Sequence, residues 1–122
     1  MKKILIVDDN PDIVNLVKVR LEANHYQALA AYDGEEALKV VAQQKPDLMI
    51  VDIIMPKVDG YNFVKEIKSN KETREIPIII LTAKEKMKDL FAIEGVADYI
   101  IKPFKDEELI GKIKTLLGES QP

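Results

Sequence analysis

The chain has 122 residues, 18 of them basic and 21 acidic, for a net charge of −3, and it has no cysteine. That length suits one compact domain burying roughly 65–70% of the surface its unfolded form exposes, so folding needs neither disulfide nor structural metal. The missing cysteine excludes thiol catalysis and thiolate metal sites, the absence of a Lys/Arg stripe argues against direct nucleic-acid binding, and no apolar run approaches the roughly 20 residues of a membrane span.

Ile4-Leu5-Ile6-Val7 is continuous, apolar and mostly β-branched. This is the pattern of a strand buried on both faces of a parallel sheet. The run is too short for a signal peptide, so a soluble, cytoplasmic protein is expected. Asn10-Pro11 then offers an N-cap and a proline at the first helical position. In that first helix Ile13, Val14, Val17 and Leu21 share one sector, while Leu16 and Val19 fall outside it. His25, after the helix, reads as a surface or satisfied histidine.

Gln27 to Ala31 is a weaker, more polar strand, as an edge strand would be. Asp33-Gly34-Glu35-Glu36 resembles a capping box. It opens a second helix with Ala37, Leu38, Val41 and Ala42 on one face. Asp47 to Val51 is the third strand. Gly60 to Ile67 is the third helix, carrying Phe63, Val64 and Ile67. Ile76 to Leu81 is the fourth strand, and Lys84 to Glu94 a weakly periodic fourth helix. Asp98 to Ile101 is the fifth strand. Lys105 to Leu117 is the fifth helix, and Gly118 stops it. Strict β-α alternation with short connections predicts an α/β fold, a parallel sheet with helices on both faces. Residues 1–118 are expected to form the domain and 119–122 a loose tail.

In such sheets ligands bind beyond the carboxyl ends of the strands. Asp8-Asp9, Asp52, Thr82 and Lys102-Pro103 all stand at strand ends. If the first and third strands are neighbours, they lie about 4.8 Å apart, and their carboxylates crowd one small space. Like charges that close repel unless a cation neutralises them. A hard divalent ion with oxygen ligands is the natural solution, and Mg²⁺ suits few carboxylates, several waters and a phosphate oxygen. Lys102 adds a point charge for the same phosphate, and Thr82 a donor. One carboxylate is then left to act as nucleophile.

The segments Val7-Asp8-Asp9, Val51-Asp52-Ile53-Ile54-Met55-Pro56, Asp59-Gly60, Thr82-Ala83 and Asp98-Tyr99-Ile100-Ile101-Lys102-Pro103-Phe104 together carry a resemblance. Over about residues 2 to 118 the chain resembles the receiver domain of two-component response regulators. The resemblance implies a doubly wound five-stranded parallel sheet of order 2-1-3-4-5, a flavodoxin-like (βα)5 fold. It implies that Asp52 accepts a phosphoryl group from a histidine kinase or histidine phosphotransfer protein. Asp8, Asp9, Asp52 and the backbone carbonyl of Ile54 would hold Mg²⁺ (or Mn²⁺). Thr82 and Lys102 would bind the phosphoryl group, and Thr82 and Tyr99 would form the switch. The Lys102-Pro103 bond would be cis.

By the same resemblance, the surface of the fourth helix, fifth strand and fifth helix would change shape for a downstream protein target. Ile13, Leu16 and Val19, with Pro103 and Phe104, would be candidates for kinase docking. The chain would assist its own phosphorylation and dephosphorylation rather than turn over a substrate. It would act as a stand-alone regulator, a monomer or a phosphorylation-dependent dimer, with no direct nucleic-acid or membrane contact.

There are departures from the pattern. Gly95 follows Thr82 by thirteen positions, a shorter interval than in many receivers. Apolar Ile54 would hinder a water attacking the phosphoryl group, whereas small Ala83 leaves room over it. Rival readings are a haloacid dehalogenase-type phosphatase, a flavin-binding module and an interaction module that has lost phosphorylation. The first needs an acid where this chain has Ile54. The second needs a Ser-, Thr- or Gly-rich loop where this chain has Asp9-Asn10-Pro11-Asp12. The third is disfavoured because all of the matching site residues are present.

Overall fold

The computed structural model describes residues 1–52, 60–83 and 95–119. Its strands are β1 (Lys3–Val7), β2 (Gln27–Ala31), β3 (Leu48–Val51), β4 (Ile78–Ala83) and β5 (Asp98–Lys102). Its helices are α1 (Pro11–Ala23), α2 (Gly34–Gln44), α3 (Gly60–Ser69) and α4 (Asp106–Leu116). The segment Lys84 to Glu94, expected as a helix, lies outside the described residues, so α4 is the fifth helix of the sequence reading. The strands pair in parallel in the order β2-β1-β3-β4-β5. This is the doubly wound sheet that the alternation predicts.

The continuous apolar runs become strands because both faces are covered. Ile4, Ile6, Leu48, Ile50, Ile79, Leu81 and Ile100 pack with Val14, Val17 and Leu21 of α1 and Leu109 and Ile113 of α4. Leu5, Val7, Met49, Val51, Ile78 and Ile80 pack on the other face with Ala37 and Val41 of α2 and Phe63, Val64 and Ile67 of α3. The alternation is that of any strand, with successive side chains on opposite faces. Every one of these strand side chains is at most 1% exposed. Burial of a Val, Leu or Ile side chain is worth about 1.5–3 kcal/mol. β2 is only partly covered, as expected of an edge.

The helix ends follow local chemistry. The Asn10 side chain accepts the Asp12 N–H at 2.9 Å and Pro11 opens α1. The Asp33 side chain accepts the Glu36 N–H at 2.8 Å at the start of α2. Both α1 and α4 close in a paired turn. His25 N–H donates to Glu22 O and Tyr26 N–H to Leu21 O. In the same way Gly118 N–H donates to Thr115 O and Glu119 N–H to Lys114 O. Such closures need a left-handed residue, a position that favours glycine. Gly118 supplies it at φ +72°, but at α1 the residue is His25, at φ +68°.

Several boundaries shift by a residue or two from the sequence reading, and two of the differences have a clear physical cause. β4 begins at Ile78 rather than Ile76 and runs on through Thr82 and Ala83. The Ile76 N–H is used by Thr73 O, and Pro77 has no N–H to give the ladder. Glu119, expected as the first residue of a loose tail, is tied in twice. Its amide closes α4, and its carboxylate accepts the Tyr26 hydroxyl. Among the described residues, two ion pairs fasten α4 to its neighbours. Arg20 Nε lies 2.8 Å from Asp106 Oδ2, and Lys112 Nζ lies 2.8 Å from Asp98 Oδ1.

Candidate functional site

The strand order reverses between β1 and β3, the place where open α/β sheets bind ligands. Val7 and Val51 are paired in register, so the residues that follow them emerge level. Asp52 N–H donates to Val7 O at 2.8 Å and Asp8 N–H to Ala31 O at 3.2 Å. Each carboxylate therefore stands one residue past its strand, on backbone that the ladder still holds.

One carboxylate oxygen from each of Asp8, Asp9 and Asp52 lies within 4.8 Å of the others. Their exposure is graded: Asp8 is buried, Asp52 half-buried and Asp9 exposed. Lys102, at the end of β5, reaches into the same space. Its Nζ lies 3.1 Å from Asp8 Oδ2 and 3.6 Å from Asp52 Oδ2. The other Asp8 oxygen accepts the Asn10 N–H at 3.0 Å. The Lys102–Pro103 peptide is cis.

Thr82 is buried, and its hydroxyl has a contact with the Ala83 carbonyl at 3.5 Å, long for an O–H donor. Tyr99 is 39% exposed. Strand period and register sort these groups by face. Asp8, Asp52 and Lys102 continue the positions of Ile6, Ile50 and Ile100, which pack under α1 and α4. Thr82 continues Ile78 and Ile80, which pack under α2 and α3, and Tyr99 is paired with Ile80. Asp8, Asp52 and Lys102 thus share one face of the sheet, and the hydroxyl of Thr82 and the phenol of Tyr99 share the other.

The donor set fits a hard divalent cation. Among the described residues the three ligand candidates are carboxylates, the oxygen donors that Mg²⁺ prefers. Among the described residues, one ammonium with three carboxylates leaves a formal surplus of two negative charges, which one divalent ion balances.

The expected site residues thus fall into groups. Asp8, Asp9, Asp52 and Lys102 are brought together, with Thr82 at the same strand-end edge and Tyr99 further back along β5. Ile54 lies outside the described residues. Of the docking candidates, Leu16 and Val19 are 42% and 56% exposed and Pro103 is exposed. Ile13 and Phe104 are instead partly buried against the core under α1 and α4. The sequence reading treated Asn10 only as a cap and did not foresee its amide on Asp8. The pair of an Asx residue next to the acidic couple was the available signal.

Comparison with known proteins bears on the same segments. The family described as "Response regulator receiver domain" matches residues 4–114. The chain is 41% identical, over 98% of its length, to the alkaline phosphatase synthesis transcriptional regulatory protein PhoP of Bacillus subtilis, and covers 50% of that protein. It is 42% identical over 95% of its length to a probable transcriptional regulator, ycf27, of Guillardia theta, covering 45% of it. The chain therefore spans about half the length of the curated relatives it matches. Among solved structures, a response regulator, TrrA, from Thermotoga maritima, in complex with Mg²⁺ and BeF, superposes with a TM-score of 0.85 at 38% identity, over 95% of this chain and 99% of that one. The receiver domain of a Pseudomonas aeruginosa sensor histidine kinase, with a magnesium ion coordinated in its active-site cleft, gives 0.88 at 30% identity, over 97% and 98%.

Proposed function

The chain belongs to the response regulator receiver domain family, and from that premise we propose that it is a switch phosphorylated on Asp52. The phosphodonor is a histidine kinase or histidine phosphotransfer protein. The observation that carries the reading is the meeting of Asp8, Asp9, Asp52 and Lys102 at one strand-end edge.

In this reading an Asp52 carboxylate oxygen attacks the phosphorus of the donor's phosphohistidine. A P–O bond forms, the P–N bond breaks, and the released imidazole takes a proton from solvent. Asp52 suits the role because it is held at the mouth, neither sealed like Asp8 nor as open as Asp9. A divalent cation such as Mg²⁺ would be held by Asp8, Asp9, Asp52 and the Ile54 carbonyl, and when bound would supply charge neutralisation. Lys102 then turns from the carboxylates to a phosphoryl oxygen, where its point charge strengthens the hydrogen bond. Among the described residues Thr82 has a long contact to relinquish, and its hydroxyl donates to another phosphoryl oxygen.

The response is a population shift of the kind switches use. Thr82 moves towards the phosphoryl group, and Tyr99, on the same face, turns inward into the space vacated. The surface of residues 84–94, β5 and α4 presents a new shape to a downstream protein. We place the protein in the cytoplasm, contacting other proteins rather than nucleic acid, as a monomer or a phosphorylation-dependent dimer. Residues 1–118 act as the receiver unit.

Treatment with a small phosphodonor and Mg²⁺, read by intact mass, tests the reading. The expected result is the gain of one phosphoryl group, lost in Asp52→Ala. No gain in the wild type would refute it and favour an interaction module that has lost phosphorylation. Catalysed turnover of a phosphate ester would favour the phosphatase reading, and a yellow protein the flavin reading.

A further inference from the structure

We infer that the Asn10 side chain is a positioning residue for the metal-binding carboxylate Asp8; this rests on the phosphoacceptor reading above. Three hydrogen bonds lock Asn10. Its side-chain oxygen accepts the Asp12 N–H at 2.9 Å. Its carbonyl accepts the Val14 N–H at 3.1 Å. Its own N–H donates to Asp8 Oδ1 at 3.0 Å. The first two fix the backbone of residue 10 in an extended conformation, φ −94° and ψ 109°. That conformation aims the third at Asp8.

Asp8 is buried, and its two oxygens are divided between two donors. Oδ2 takes Lys102 at 3.1 Å and Oδ1 takes the Asn10 amide. Lys102 is long and flexible and reaches Asp52 as well. The Asn10 amide is the rigid one, and it sets the plane of the carboxylate. Partners that orient a ligand in this way are worth about 10–100-fold in metal affinity when they act directly on it. Asn10 acts through its backbone, so the expected effect is smaller.

A second Asx turn of the same kind provides the control. The Asn70 side chain accepts the Glu72 N–H at 2.9 Å. It lies between α3 and β4, at the opposite end of the sheet from the carboxylates. Alanine at either position removes the same interaction, but only one of the two turns aims a donor at Asp8.

The experiment titrates MgCl₂ into the ¹⁵N-labelled chain and follows the amide shifts of Asp8, Asp9 and Asp52, with thermal melts in chelator alongside. Asn10→Ala should weaken Mg²⁺ binding about fivefold, which is ~1 kcal/mol at 1.4 kcal/mol per factor of ten. Asn70→Ala should lower the melting temperature by a similar amount and leave the affinity unchanged. Asn10→Ser, which keeps a capping oxygen, should restore the affinity. Equal affinity in Asn10→Ala and the wild type would overturn the inference alone. So would an equal loss in Asn70→Ala, since the effect would then be general loosening. A wild type that binds no Mg²⁺ would overturn the phosphoacceptor reading and the inference with it.

Discussion

Replacing Lys102 by methionine should destabilise the chain in chelator and much less so with Mg²⁺ bound. The Lys102 ammonium lies 3.1 Å from Asp8 and 3.6 Å from Asp52. At an effective dielectric of about 20, each attraction is about 5 kcal/mol before desolvation. Removing one partner of a buried pair costs about 3–5 kcal/mol, because the other charge is left behind. Lys102 is 23% exposed and Asp52 15%, so solvent screening brings the loss to about 2–3 kcal/mol. In a domain of this size that is a fall in melting temperature of about 6–12 °C. A divalent ion among the same carboxylates replaces the lost charge, and with saturating Mg²⁺ the deficit should fall below about 1 kcal/mol. By linkage the variant should bind Mg²⁺ roughly tenfold more tightly. The assay is circular-dichroism melting of both proteins in chelator and in Mg²⁺, with a metal titration. Equal melting in chelator, or the same deficit in both buffers, would refute the reasoning.

His25→Gly should raise stability by about 0.5–1 kcal/mol, since it relieves a left-handed residue at φ +68° worth about 1–2 kcal/mol while adding freedom to the unfolded chain; urea melts would read it, and no gain over His25→Ala would count against it. Burial, followed by the bond to Glu119, raises the Tyr26 phenol above its ordinary value near 10. The neutral phenol therefore stabilises the fold fully below that value, and the contribution is lost as pH climbs above it. Tyr26→Phe should be the less stable protein at neutral pH, with the gap closing in alkaline melts; a gap that is constant with pH would refute this. Alanine at both Leu16 and Val19 should slow phosphotransfer from a kinase without lowering stability, and unchanged transfer would remove the docking idea. Ile54→Asn should shorten the life of the phosphorylated form, measured by loss of the added mass, and equal decay rates would contradict the shielding argument.

The strands were legible because burial on both faces leaves continuous apolar runs such as Ile4 to Val7. The site was legible because chemistry in this kind of sheet sits immediately after such runs, as Asp8, Asp9 and Asp52 do. Other features depend on where the chain folds back on itself. The bonds Arg20–Asp106, Lys112–Asp98 and Tyr26–Glu119 join residues with no local pattern in common. Ile76 is as apolar as Ile78, and only the use of its amide by Thr73 keeps it out of β4. Ile13 shares the helical sector of Val14, Val17 and Leu21 and so carried a sign of burial, whereas Phe104, in a loop after β5, offered none that the core under α1 and α4 would take it. Nothing in a histidine announces a left-handed backbone, and His25 takes one because the helix must close there.

The sorting of the site between the two faces sets which changes of length the chain can absorb. Deleting one residue in β5 between Tyr99 and Lys102 would put the two out of phase, sending one of them to the wrong face while every side chain stayed the same. The same deletion between strands would leave the phase of each strand untouched. Insertions and deletions among natural variants of this chain should therefore cluster between β4 and β5, where the interval is already short. Within β1, β3, β4 and β5 they should be absent even where substitutions are freely accepted.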